Sequence, residues 1–191
     1  MRDSQDITTG PHPQGSTAGG TTDPLPSPLP SSGIMRGGAH LYPVRVYYEC
    51  TDAGGIVYHA DYLRYAERAR TEMMRLFGLR HRDLRASDGV GFAVHHCEAT
   101  FHRPAHLDDL LTVRTRVIEV GGATMRVAQD IFRDTTLLVG VRLRLAMVTD
   151  QGRPGRVPAA LRTALRAHLE THPFTHETTR ASKQRDSTTG A

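Results

Sequence analysis

The chain has 191 residues, 38% hydrophobic and 23% charged, with a formal net charge of +4 and two cysteines. That length suits one domain with a real core plus tails. No apolar run of about 18 residues is present to cross a membrane, and no basic segment followed by an apolar run marks a signal peptide. Cys50 and Cys97 form no close-spaced pair, so a reduced, cytoplasmic protein is expected. Lys183 is the single lysine among 24 basic residues. No Lys/Arg block with interleaved aromatics, zinc-finger spacing or recognition helix accompanies the charge. Nucleic acid is therefore not the expected partner; a phosphate-bearing small molecule such as a coenzyme is.

Residues 1–38 are rich in Pro, Gly, Ser and Thr and lack periodic apolar residues, which predicts a disordered tail. Met35, just before the domain, is a candidate translation start. The compact domain is expected over 39–170, with a second polar tail over 171–191. Val44, Val46 and Tyr48 alternate with Arg45, Tyr47 and Glu49 as in a short strand. After a glycine turn, Tyr62, Tyr65, Ala66, Ala69, Met73, Leu76 and Phe77 recur at three- and four-residue steps, one apolar stripe of a helix that Gly78 ends. Four strand-like segments follow, over 91–101, 110–120, 124–133 and 137–148. In the last, Leu137, Val139, Val141, Leu143, Leu145 and Met147 share a face. Pro158 opens a short helix carrying Leu161, Leu165 and Leu169. Short links between the late strands predict antiparallel pairing, hence an α+β architecture with one long helix on a sheet.

The most informative stretch is Tyr47-Tyr48-Glu49-Cys50-Thr51-Asp52-Ala53-Gly54-Gly55-Ile56-Val57-Tyr58-His59. A carboxylate here precedes two glycines and a helix start. The acid can activate water, and free N–H groups at the helix start can hold a developing oxyanion. Gly54 and Gly55 would let a substrate carbonyl approach the main chain closely. Read locally, Asp52 is first of all a turn residue or helix cap.

The run from Val44 through Glu72 resembles the YbgC-like acyl-CoA thioesterases of the 4-hydroxybenzoyl-CoA thioesterase group. Phe101-His102-Arg103-Pro104-Ala105-His106-Leu107-Asp108-Asp109-Leu110 and Arg156-Val157-Pro158 add weaker support. The resemblance spans roughly residues 43–165. It implies a hotdog fold, a five-stranded antiparallel sheet wrapped around a central helix. It also implies homodimers or homotetramers with active sites between subunits, and an acyl-CoA substrate with no further cofactor. The family's essential acid falls on Asp52, and its oxyanion-stabilising N–H on His59. Cys50 stands where family members commonly carry Asp, which alters the local electrostatics but leaves the acid in place.

Asp52 would act as general base on water or as nucleophile through a mixed anhydride. Tyr58 is a candidate for the acyl pocket, though Tyr48, Tyr58 and Tyr62 are first of all packing residues. Arg103 and Arg156 are candidates for the coenzyme phosphates, whereas Arg126, Arg142 and Arg144 read as a solvated strand face. Glu67 reads as half of a helix-surface ion pair. His95, His96 and Cys97, with His102 and His106, invite a metal; but adjacent strand residues face opposite ways, and no metal is expected. Two rivals stand beside hydrolysis. One is a hotdog dehydratase or hydratase, separable by assaying enoyl-CoA hydration. The other is an acyl-CoA-binding protein without turnover, separable by tight binding without thiol release.

Overall fold

The computed structural model describes residues 32–173. In chain order these form strands β1 (Ile34–Arg36) and β2 (Ala39–Arg45), helices α1 (His59–Leu76) and α2 (His81–Asp88), strands β3 (Val90–Phe101), β4 (Leu110–Val120), β5 (Thr124–Arg133) and β6 (Thr136–Thr149), and helix α3 (Ala159–Thr171). The strands make one sheet in the order β1-β2-β4-β5-β6-β3, every neighbouring pair antiparallel.

The sheet thus has six strands, one more than expected. The extra strand comes from a hairpin in which Ile34 pairs with Leu41 and Arg36 with Ala39. Gly37 and Gly38 take φ of +54° and +71°, the two left-handed residues that a tight hairpin turn requires. Most of the expected tail over 1–38 lies outside the described residues, but 34–36 belong to the sheet. Of the expected tail over 171–191, residues 174–191 also lie outside them. The first expected strand is displaced: β2 stops at Arg45, and Tyr48–Cys50 form a 3-10 turn. Val44 and Val46 are buried as the alternation requires, yet Tyr48 is 82% exposed. The chain leaves the sheet once Cys50 N–H donates back to Tyr47 C=O at 3.0 Å.

β4, β5 and β6 follow their expected bounds to within a residue, because strict alternation sets one face against the core. Leu111, Val113, Val117, Val127, Ile131, Val139, Val141 and Leu145 are all buried. α1 lies across that face with Tyr62, Tyr65, Ala66, Ala69 and Met73 buried, as its periodicity predicts. The expected stripe errs at its end: Leu76 is 44% exposed, whereas Met74 is buried. Here the core extends sideways to Met74 and to Leu84 of α2, a helix the sequence pattern did not predict. Gly78 closes α1 as expected, at φ +75°.

A polar cluster joins α1 to the sheet inside this apolar layer. Gln129 of β5 donates from Nε2 to Ala66 C=O at 2.8 Å and to Thr115 Oγ1 at 2.9 Å. Its Oε1 accepts from Arg70 Nη1 at 2.9 Å, and Arg70 also pairs with Glu67 one turn earlier. Gln129 and Thr115 are fully buried. Burial pulls the Arg70 guanidinium down to about 10, since the charged form loses solvation.

Candidate active site

Asp52 sits at the tip of a small hairpin that leads into α1. Thr51 bridges Val57, Asp52 N–H donates to Ile56 C=O at 2.9 Å, and Tyr58 N–H donates to Cys50 C=O at 2.9 Å. A third segment flanks it: Ile56 bridges His106, and Val57 N–H donates to Ala105 C=O at 2.9 Å. Tyr62 fixes that segment to the helix, its hydroxyl accepting from Ala105 N–H at 2.8 Å. Burial pushes the Tyr62 hydroxyl up, so it stays protonated.

The Asp52 carboxylate accepts from Gly54 N–H at 2.8 Å through Oδ1, while Gly55 N–H donates to Asp52 C=O at 3.0 Å. Both glycine amides are therefore used within the turn. Gly55 has φ +74°, which only glycine adopts cheaply. A Cβ on Gly54 would stand 3.1 Å from Asp52 Oδ1. Both glycines shape the turn that holds the carboxylate, and their amides are paired within it. Asp52 is exposed on the single chain.

α1 begins at His59 with no side-chain cap. Its Asp61 N–H turns back to Tyr58 C=O at 2.9 Å, whereas the N–H groups of His59 and Ala60 have no partner among the described residues. Such first-turn donors, at the positive end of the helix dipole, suit a developing negative charge. The His59 ring lies against Tyr58, 4.3 Å between centroids. Tyr58 is 46% exposed, beside the hairpin.

The two arginine candidates are not brought together. Arg103 is exposed just beyond β3, next to the Ala105 segment, with its N–H on Leu138 C=O at 3.2 Å. Arg156 is exposed at the other end of the sheet, where Val157 N–H donates to Gly122 C=O at 2.8 Å. About nine strand residues, roughly 30 Å, separate those ends. Arg142 pairs with Asp130 at 2.8 Å and Arg126 lies 3.7 Å from Glu119, as solvated-face residues do. β3 carries a bulge between Val94 and His96, so the strict alternation expected of His95 and His96 is broken there. His95 Nδ1 contacts Arg144 Nη2 at 3.0 Å. Among the described residues, no three His, Cys, Asp or Glu side chains converge as metal ligands.

Asp109 secures the segment that flanks the hairpin. Its Oδ2 accepts from His106 N–H at 2.9 Å and from Arg133 Nη1 at 2.7 Å. Burial alone would raise this carboxyl, but the His106 N–H and Arg133 together hold it below the usual range. A depressed folded pKa gives stability that is full above about pH 4 and lost as pH falls through the folded value. Asp109→Asn is expected to cost about 1–2 kcal/mol at pH 7, a gap that narrows toward pH 3. Urea unfolding at the two pH values checks it; equal stabilities at pH 7 would remove Asp109 from this role.

A sheet wrapped on one long helix, with an acidic hairpin at that helix's start, defines the hotdog class. The thioesterase superfamily model matches residues 54–139. The Haemophilus influenzae acyl-CoA thioesterase YbgC is 45% identical over 107 residues, 56% of this chain and 79% of that one. The Escherichia coli acyl-CoA thioester hydrolase YbgC is 44% identical over 98 residues, 51% of this chain and 72% of that one. Among solved structures, a probable thioesterase from Bartonella henselae superposes with a TM-score of 0.61 at 37% identity, covering 63% of this chain and 99% of that one. The chain belongs to the thioesterase superfamily, in its YbgC-like branch. No described helix is long and apolar enough to cross a membrane.

Proposed function

We propose that the protein hydrolyses acyl-CoA thioesters to a free acid and coenzyme A. The observation that carries this is the pairing, within one nine-residue segment, of the Asp52 carboxylate with the unpartnered first-turn N–H groups of His59 and Ala60. Oδ1 is held by Gly54 N–H, which leaves Oδ2 for the reaction. In the base route Asp52 takes a proton from water, and the water oxygen bonds to the thioester carbon. In the nucleophilic route Asp52 makes that bond, and water then cleaves the anhydride. In both, the His59 N–H steadies the oxyanion, the C–S bond breaks and the thiolate takes up a proton. A single turnover in ¹⁸O-water with enzyme in excess separates them: water cleaving the anhydride at the Asp52 carbonyl leaves the label in Asp52 and the product acid unlabelled, whereas the base route puts the label in the acid.

The reading includes a homodimer joined through β3 with the active sites between its subunits. Among the described residues β3 is an edge strand of twelve residues pairing only with β6, and residues 95–99 along it are exposed or nearly so. A long, uncovered edge is a template for another strand. Antiparallel pairing with a second copy sets the Phe101 end of one β3 beside the Val90 end of the other. That brings the Arg156 end of one subunit toward the Asp52 end of its neighbour, and Arg103 and Arg156 together toward one coenzyme. A cytoplasmic location belongs to the same reading, supported by two unpaired cysteines. The test is thiol release from short, long and aromatic acyl-CoAs by the purified chain; tight acyl-CoA binding with no release would leave a binding protein instead.

A further inference from the structure

A cleft of about 410 Å³ opens between α1, α2 and the start of β3. Its floor is apolar, formed by Met74, Met125 and Leu145, each about 1% exposed. Its rim is cationic. α2 contributes Arg82 and Arg85, and α1 the buried Arg70, with Glu67 as the one acid among the described lining residues. Glu67 is already answered by Arg70. Arg85 meets Asp150 at 2.6 Å where both side chains are more than half exposed, and Arg82 has only a loose 3.9 Å approach to Asp83 at 86% exposure. Surface pairs of this kind hold their partners weakly, so both guanidiniums can turn to a ligand anion. The wall also holds His81, whose Nε2 is buried and makes no hydrogen bond. An apolar floor under a cationic rim fits an organic anion with a hydrocarbon body.

The cleft is remote from the hydrolytic end of its own chain. Glu67, Arg70 and Met74 lie 8 to 15 residues beyond His59, about 12 to 22 Å along α1. It borders Gly91, Phe92 and Val94 of β3, however, and in the antiparallel β3 pairing that end of the strand adjoins the Phe101 end of the second copy. Phe101 stacks edge-on against Tyr62, 5.9 Å between centroids, in the first turn of α1. In that proposed pairing the second copy's Asp52 hairpin would come to the side of this cleft.

We propose that the cleft receives the far end of the acyl group bound at the second copy's Asp52, and that it selects compact acyl chains ending in a carboxylate. This rests on the acyl-CoA thioesterase reading above and on its β3-paired dimer. The hydrocarbon lies over Met125 and Leu145, and Arg82 and Arg85 grip the terminal carboxylate. The volume sits near the lower end for small-molecule sites, which sets the preference for short chains.

The experiment compares thiol release by the full-length protein from hexanoyl-CoA against adipoyl-CoA, and from octanoyl-CoA against suberoyl-CoA. The members of each pair match in length and differ only at the distal group. The carboxylate member is expected to have the higher kcat/KM by at least about tenfold, the worth of one charge-assisted hydrogen bond. In the doubly substituted Arg82→Gln, Arg85→Gln protein that ratio is expected to fall toward one; both side chains are mostly exposed, so the fold is kept. Hydrolysis of the straight-chain members with no carboxylate preference, or an unchanged ratio in the double variant, overturns the selectivity and leaves the thioesterase reading standing. Absence of release from these four and from the wider panel overturns both.

Discussion

Replacing Asp52 by Asn is expected to lower kcat/KM for acyl-CoA hydrolysis by at least about a hundredfold, the lower end of what a positioned general base contributes. The substitution is nearly isosteric, and the amide oxygen can still accept from Gly54 N–H, now 2.8 Å from Oδ1. The turn, and the entry into α1 that depends on it, should therefore persist, with a thermal midpoint close to that of the parent. What is lost is the anion: an amide neither takes a proton from water nor attacks a thioester carbon. A well-folded Asp52→Asn protein with near-parental turnover would remove Asp52 from the chemistry and leave the hairpin as a helix-entry device. The backbone donor on His59 is not reachable by such a swap, so the carboxylate is the informative position.

The largest expected effect on stability is at Gln129. Changing it to Leu keeps the volume but deprives three buried groups of a partner: the Ala66 carbonyl, the Thr115 hydroxyl and the Arg70 guanidinium. Glu67 still faces Arg70, but Glu67 is more than half exposed and cannot replace an acceptor inside the core. A loss of about 3 kcal/mol is expected, because unsatisfied buried polar groups carry most of their desolvation cost and one of them is charged. Chemical denaturation at neutral pH measures it; a loss below about 1 kcal/mol would mean that the cluster relaxes or admits water.

The strands over 110–149 were legible because each is half-buried. Val113, Thr115 and Val117 in β4, and Val139, Val141 and Leu143 in β6, must face the helix together, and a period of two follows. α1 was legible for the same reason at a period of 3.6. The β1–β2 hairpin was not: His40 is a polar residue in the core, Pro43 interrupts the strand pattern, and β1 has three residues, all exposed. Only Gly37-Gly38 signalled a turn, and it lay in what reads as a tail. α2 escaped because Leu84 is its single buried residue, and one apolar side chain sets no period. With it went Arg82, Arg85 and His81, the cationic rim of the cleft. The acidic segment was readable because its members are contiguous in sequence. That Arg103 and Arg156 stand at opposite ends of the sheet is a property of strand order, which local patterns do not carry.

The two margins of the sheet are unequal. β1 ends one side with three residues, while β3 ends the other with twelve. In the β3-paired dimer proposed above, the margins left among the described residues would be the short ones, and three residues give a further strand little to hold. In such a dimer growth along the sheet would terminate at a pair, without the open-ended fibre that a sheet with two long free margins would invite.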